Sequence, residues 1–365
     1  MKTIGLISAN YFSGDFGDLA KRRTLASIPF GGRYRLIDFA LSNMTNSGIG
    51  TVGVIAPYNS GSLIDHVGVG KPWSLDKKTG GMFVMPGSVF GVANTGNRFL
   101  MRDFITNKEF LLKDNADYVI ISGSSDVYCM DYRDLIKAHA ESDKPITLVT
   151  KKVTDAENYR GFFVKTSEGK VTEITTKSFG DADYFMDLFI VDRKFMIDFI
   201  EWFDTLEYMD VVDILCEYLE KFDIGTYSFD GYYGKVNNLV SYWKTNMDLL
   251  KPEVIKELFN PERTVYTKVQ DEPPAEFFTQ SNVKNSLVAA GCTIKGTVEN
   301  SIIFRSCEIE EGAVIKNSII LQHGVIGKDV SLNRMILDKN VTIKDGVHVD
   351  GSAESPIVIG KNKKI

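Results

Sequence analysis

Two polar stretches of this sequence follow short apolar runs and carry groups able to do chemistry. Residues 10–16, which include Gly14 and Asp15, follow the apolar run 4–9, and Ser122-Gly123-Ser124-Ser125-Asp126 follows the run 118–121. A carboxylate such as Asp126 just past a strand can help hold a divalent cation, or it can cap the next turn. Lys21-Arg22-Arg23 is a compact basic run that suits an anion and equally suits a solvated face. Gly68-Val69-Gly70-Lys71 has the glycines and lysine of a phosphate-binding loop without its GxxxxGK[ST] spacing, and Pro72 stands where a hydroxyl is needed. Cys129, Cys216, Cys292 and Cys307 include no CxxC pair, and His66, His139, His323 and His348 show no HxxxH spacing. The chain therefore reads as lacking both a zinc site and a disulfide framework.

These groups need a frame. The apolar runs 4–9, 51–56, 118–121 and 146–150 alternate with helix-like segments. One of these, 36–44, has apolar residues at Ile37, Leu41 and Met44 and is followed by Gly48 as a capping candidate. Such alternation predicts a parallel sheet with helices on its faces, and ligands of such sheets lie beyond the carboxyl ends of the strands. The loops after Ala9 and Ile121 are thus the first places to look for a site.

The tail obeys a different rule. From about residue 281 the helix signal stops and aliphatic residues recur every six positions: Ile303, Ile309, Ile315; Ile320, Ile326, Leu332; Leu337, Ile343, Val349. The triplets themselves repeat at 17 residues. A hexapeptide step is one flat side of a triangular parallel β-helix, and three sides complete a coil. Gly312, Gly327 and Gly346 are expected at corners, where a positive φ is often required. Between the two regions, Pro252, Pro261, Pro273 and Pro274 with Asp271-Glu272 mark a link. The reading is an α/β domain over residues 1–251, a linker over 252–280 and a β-helix over 281–365.

With 365 residues, the chain is long enough for two domains. Its formal charge of −6 and pI near 5.4 argue against nucleic acid as the main partner, because phosphate binding wants a basic surface. No stretch nears the roughly 20 apolar residues of a membrane helix, and no cleavable leader is legible, so a cytoplasmic protein is expected.

Several longer motifs point further. Pro29-Phe30-Gly31-Gly32-Arg33-Tyr34-Arg35-Leu36-Ile37-Asp38-Phe39-Ala40-Leu41-Ser42-Asn43, Met130-Asp131-Tyr132, Tyr242-Trp243-Lys244 and Asn285-Ser286-Leu287-Val288 resemble segments of ADP-glucose pyrophosphorylases. The likeness runs nearly the whole length. It implies a Rossmann-like nucleotidyltransferase domain followed by a left-handed β-helix, and a reaction joining ATP to glucose-1-phosphate to make ADP-glucose.

The positions that the resemblance marks as chemical are altered. Where the family's AGGxGTRL loop places a phosphate-binding arginine, this chain has Asp15, behind bulky Tyr11 and Phe12. Leu25 replaces the lysine of RxKPA. Ser125 replaces one metal-binding aspartate, and Lys235 replaces the other. Nucleotidyl transfer relies on positioning and on neutralising charge around Mg²⁺ and a triphosphate, so these changes remove charges the reaction needs. Lys177 keeps the lysine of the family's EKP motif and is the candidate for residual sugar-phosphate binding. Asp126, one residue beyond the lost aspartate, is the candidate for residual metal binding.

The chain therefore most resembles GlgD-type subunits, the non-catalytic partners of catalytic ADP-glucose pyrophosphorylase subunits. That resemblance implies a heterotetramer, a capacity for self-association, Mg²⁺ only in the catalytic partner, and a sugar-phosphate effector. The rival expectation is an active or weak glucose-1-phosphate adenylyltransferase. A third is a module that senses a sugar phosphate without reacting.

Overall fold

The computed structural model describes residues 1–9, 16–88, 98–154, 156, 159–178, 183–352 and 355–365. Eleven strands make up the first region among these residues: β1 (Thr3–Ser8), β2 (Pro29–Phe30), β3 (Tyr34–Arg35), β4 (Thr51–Ala56), β5 (Gly81–Pro86), β6 (Tyr118–Ser122), β7 (Ile146–Lys151), β8 (Phe163–Ser167), β9 (Lys170–Thr175), β10 (Asp183–Asp192) and β11 (Ile224–Ser228). The main sheet runs in the order β11-β7-β10-β6-β1-β4-β5, with the β8–β9 ribbon hung from β10. The four apolar runs read from the sequence are β1, β4, β6 and β7, and the predicted helix 36–44 is Ile37–Asn46. The expectation of a purely parallel sheet needs correcting: β10 runs antiparallel to both β6 and β7. Apart from Asp187, the residues between its two terminal aspartates are apolar or aromatic and buried, which suits either direction, so composition alone does not reveal it.

The tail is a left-handed β-helix of three five-stranded parallel sheets. Each column of the sequence repeat is one face: Ile303↔Ile320↔Leu337, Ile309↔Ile326↔Ile343 and Ile315↔Leu332↔Val349 pair in register. The 17-residue step gives way at both ends of the stack: Asn282↔Thr297, Leu287↔Ile302 and Ile294↔Ile309 are 15 residues apart, and Leu337↔Ile359 are 22 apart. Gly312 and Gly346 do sit at corners with φ near +75°, but Gly327 does not; Asp329, at φ +53°, takes the third corner of that edge. Another corner carries Asn285, Asn300 and Asn317 at positive φ, a conformation that asparagine tolerates better than most side chains. Asn285 and Asn317 each donate a side-chain hydrogen bond to the next coil, to Asn300 and Asn333 respectively.

The stretch 252–280 is more than a tether. It opens with the helix Pro252–Leu258, whose Val254 and Leu258 are buried, and Tyr266 donates its backbone N–H to Ser42 Oγ. The two regions share an apolar core, in which Leu25, Phe30, Phe39 and Tyr242 meet Phe304, Ile319 and Ile336. Two polar ties cross the same boundary. Arg23 Nη2 bonds both oxygens of buried Asp338, at 2.9 and 2.7 Å, and Trp243 Nε1 donates to Asn317 O at 2.8 Å.

Candidate functional site

Beyond the carboxyl end of β6 the chain builds a buried cluster of charges. Val127 and Gly234 exchange both backbone hydrogen bonds, at 2.9 and 2.8 Å, which places Asp126 and Lys235 side by side. From the other side β10 bulges between Phe185 and Phe189, and Gly123 N–H donates to Asp187 O at 2.8 Å. The bulge brings the Asp187 carboxylate over the strand end. Lys235 Nζ donates to Asp126 Oδ2 at 3.1 Å and to Asp187 Oδ2, while Arg98 Nη1 holds Asp187 Oδ1. The side chains of Lys235, Asp126 and Asp187 are each only 4% exposed, so solvent does little to screen these pairs.

The backbone is strained where this happens. Asp187 has φ +53°, in the left-handed region, which costs a non-glycine residue about 1–2 kcal/mol. Strain of this kind persists only where neighbouring contacts over-determine it, and two cations and a backbone hydrogen bond do so here. Arg98 is itself fixed at its backbone: the N–H groups of Arg98 and Phe99 donate to Asp210 Oδ2, and Val212 N–H donates to Asp210 Oδ1 at 2.8 Å. Aromatic rings line the same space. Tyr159 stacks on Tyr233, Tyr184 lies beside them, and Tyr233 OH donates to Asp126 Oδ2 at 2.9 Å.

The two carboxylates differ in proton affinity. Burial pushes Asp187 up, but Arg98 and Lys235 together outweigh it and hold its carboxyl below the ordinary range. Burial wins at Asp126, which is raised despite Lys235, with the Asp187 charge adding to the rise. Burial, then the nearby Asp126, lifts Tyr233 well above its usual value, so its hydroxyl stays a donor.

The structure brings together Asp126 and Lys235 but not the other candidates. Ser125 is buried at the same strand end without a carboxylate to offer. Leu25 lies in the apolar core shared by the two regions, where a lysine would be buried among hydrocarbon. Lys177 is exposed just past β9, its backbone N–H bonded to Thr175 Oγ1. Asp15, with Tyr11 and Phe12, lies outside the described residues. Sequence reasoning missed Asp187 and Arg98; the signal that could have drawn attention to Asp187 is an acidic residue interrupting the apolar run 184–191.

The long motifs prove to be a clamp. Tyr242 OH donates to Pro29 O at 2.7 Å and Gly31 N–H to Asn246 Oδ1 at 3.0 Å, so the 29–43 and 242–249 segments meet. A Cβ on Gly31, at φ +57°, would lie 2.8 Å from Leu249. Nearby, the Lys21-Arg22-Arg23 run faces Lys361 and Lys363 across a cavity of about 160 Å³ at the junction with the tail. Nη1 of Arg23 is buried there with no partner among the described residues. Burial, then the charges of Arg35 and Arg23, lowers the Lys339 amine to about 8.

Residues 17–251 match the nucleotidyl transferase family and residues 273–355 the GlmU-like C-terminal hexapeptide family. A glucose-1-phosphate adenylyltransferase of Fervidobacterium nodosum is 32% identical over 354 residues, 95% of this chain and 85% of that protein. The chain belongs to the glucose-1-phosphate adenylyltransferase family. The glycogen biosynthesis protein GlgD of Bacillus subtilis is also 32% identical, over 98% of this chain and 95% of its own length. A glucose-1-phosphate adenylyltransferase of Bacillus thuringiensis is 28% identical over 99% of both chains. The sheet-plus-β-helix architecture follows from both family matches. Among the described residues no helix is long and apolar enough to cross a membrane.

For this family the resemblance implies a divalent cation between two aspartates, and the residues present do not fit one. The two positions that the resemblance marks for the metal carry Ser125 and Lys235, and the carboxylates that do converge, Asp126 and Asp187, are already bridged by an ammonium.

Proposed function

We propose that this chain is a regulatory subunit of ADP-glucose pyrophosphorylase in cytoplasmic glycogen synthesis, assembling with a catalytic subunit, activating it, and having little or no activity alone. The observation that carries this reading is the Lys235 ammonium between Asp126 and Asp187. A cation built into the chain attracts the carboxylates and repels Mg²⁺; at an effective dielectric near 20 a unit pair at 4 Å is worth about 4 kcal/mol. Mg²⁺ belongs to the partner in this reading, and the assembly is a heterotetramer, with self-association in the partner's absence. An anionic effector, such as a sugar phosphate, docks in the basic cavity where Lys21 and Arg22 face Lys361 and Lys363. Lys177, being exposed, is a secondary phosphate contact at most.

The names of the Fervidobacterium and Bacillus thuringiensis relatives favour a second reading, an adenylyltransferase in its own right. Co-expression with a catalytic glucose-1-phosphate adenylyltransferase subunit, followed by co-purification and assay of ADP-glucose formation, separates the two. The regulatory reading expects a stable complex more active than the catalytic subunit alone, and the pure chain at background. Robust ADP-glucose synthesis by the pure chain would install the second reading.

A further inference from the structure

Two of the four cysteines meet inside the tail. Thr293 and Glu308 pair in register on adjacent coils, and Thr293 N–H donates to Cys307 O at 2.9 Å. Cys292 and Cys307, one residue earlier on each strand, are therefore direct neighbours. Both are buried in the apolar core of the β-helix. Neighbouring strands lie about 4.8 Å apart, inside the Cα separation of roughly 4.4–6.8 Å that a disulfide spans. The next residue of the column is Gly324, where a Cβ would lie 3.6 Å from Cys307 Sγ. Within the column, Cys307 thus has a side chain beside it only on the Cys292 flank.

The two thiols differ. Cys292 Sγ donates to Phe304 O at 3.0 Å. The Cys307 thiol, and after it the N–H groups of Cys307 and Ser306, hydrogen-bond the Cys292 sulfur and hold it below the ordinary thiol value despite burial. Burial, then the contact with Cys292, raises Cys307 well above it. Cys292 is the attacking sulfur and Cys307 the resolving one. Access and consequence follow from position. Half-buried Ala275, at the start of the stack, lies over Cys292, and a coil at the end of a stack opens most readily. Ala290 and Arg305, each two residues before a cysteine, line one cavity of about 360 Å³ against Gly32 and Arg33 of the sheet domain.

We propose that Cys292 and Cys307 form a reversible redox pair, closed by hydrogen peroxide into a disulfide that locks adjacent coils and fixes one wall of this cavity. The Cys292 thiolate sulfur attacks one peroxide oxygen and breaks the O–O bond, leaving a sulfenic acid and releasing hydroxide, which is protonated to water. The Cys307 sulfur then attacks the Cys292 sulfur; its proton and the departing hydroxide leave as a second water. Two thiols lose two electrons and two protons, hydrogen peroxide becomes two waters, and a dithiol reductant reverses the bond.

The test is peptide mapping of the folded full chain, treated with hydrogen peroxide and then alkylated under denaturing, non-reducing conditions. Trypsin places the two cysteines on separate peptides, 285–295 and 306–316, because Lys284, Lys295, Arg305 and Lys316 are cleavage sites. Wild type is expected to give these peptides joined, with Cys129 and Cys216 still alkylated, and dithiothreitol should separate them. Cys307→Ser should stop at a sulfenic acid on Cys292 that dimedone traps, and Cys292→Ser should leave Cys307 alkylated at the same peroxide dose. The amides of Thr293 and Lys295, which donate to Cys307 O and Ile309 O, should exchange at least about threefold more slowly after oxidation. A wild-type chain in which Cys292 and Cys307 stay unlinked after peroxide overturns the pair, and that measurement needs no variant to fold. A bond that forms without slowing those amides overturns the locking of the coils.

Discussion

The β-helix and the strand-end cluster of the sheet domain are both buried, yet they draw on the sequence in opposite ways. In the β-helix the inward aliphatic residues of each face sit on aliphatic neighbours one coil away, so Ile303, Ile320 and Leu337 form a column from a repeated local step. In the cluster, Arg98, Asp126, Asp187 and Lys235 each occur once, and they meet only because a bulge and a two-residue bridge deliver them. Repetition makes a core robust and visible in advance. A singular cluster is visible only in part, and its pieces depend on one another.

The largest effect is expected where the two regions join. Arg23→Ala strands the Asp338 carboxylate in a buried site, and losing one partner of a buried pair costs about 3–5 kcal/mol. Chemical denaturation should show that loss, and the double variant Arg23→Ala/Asp338→Ala should lose clearly less. A double-variant loss equal to the sum of the two single losses would mean that the pair is not coupled.

A smaller loss should come from within the repeat. Ile320→Ala removes a fully buried side chain from the middle coils and should cost about 2–4 kcal/mol, whereas Ile359→Ala, at the edge of the stack, should cost less. If the edge residue mattered as much as the central one, nearest-neighbour stacking would not describe the tail.

The smallest change concerns the singular region and appears as pH dependence. Burial raises the Asp210 carboxyl to about 6, although three backbone N–H groups favour its charged form. Its folded value lies above its unfolded one, so the native state holds the proton more tightly. That contribution to stability is complete below about pH 4 and is lost as pH rises through about 6. Asp210→Asn should flatten the stability profile across this window, as read by urea midpoints at successive pH values. An unchanged slope would locate the proton uptake elsewhere.

What could be read from the sequence follows the same division. The three faces of the β-helix came from spacing alone, down to the residues in each column, because every coil poses the same packing problem. The corner glycines came out less well, since Asp329 adopts the left-handed turn while Gly327 does not. Four strands of the sheet were legible as apolar runs, but the reversed direction of β10 was not, because a doubly buried strand looks alike either way. Asp126 and Lys235 stood out through the family resemblance, whereas Asp187 and Arg98 did not. Their role depends on a bulge and on long-range contacts that no local pattern records. Leu25 shows the converse: a position marked for phosphate chemistry by resemblance serves here as part of an apolar junction.

That shared junction bears on how the chain is made. A chain synthesised from its N-terminus exposes Phe30, Phe39 and Leu25 well before Phe304, Ile319 and Ile336, which cover them, have been added. At about 5–20 residues per second, the remaining tail takes on the order of 4–17 s to emerge. For that interval the sheet domain is an apolar surface waiting for its lid, and its solubility on the ribosome depends on holding chaperones or on how soon the last coils arrive.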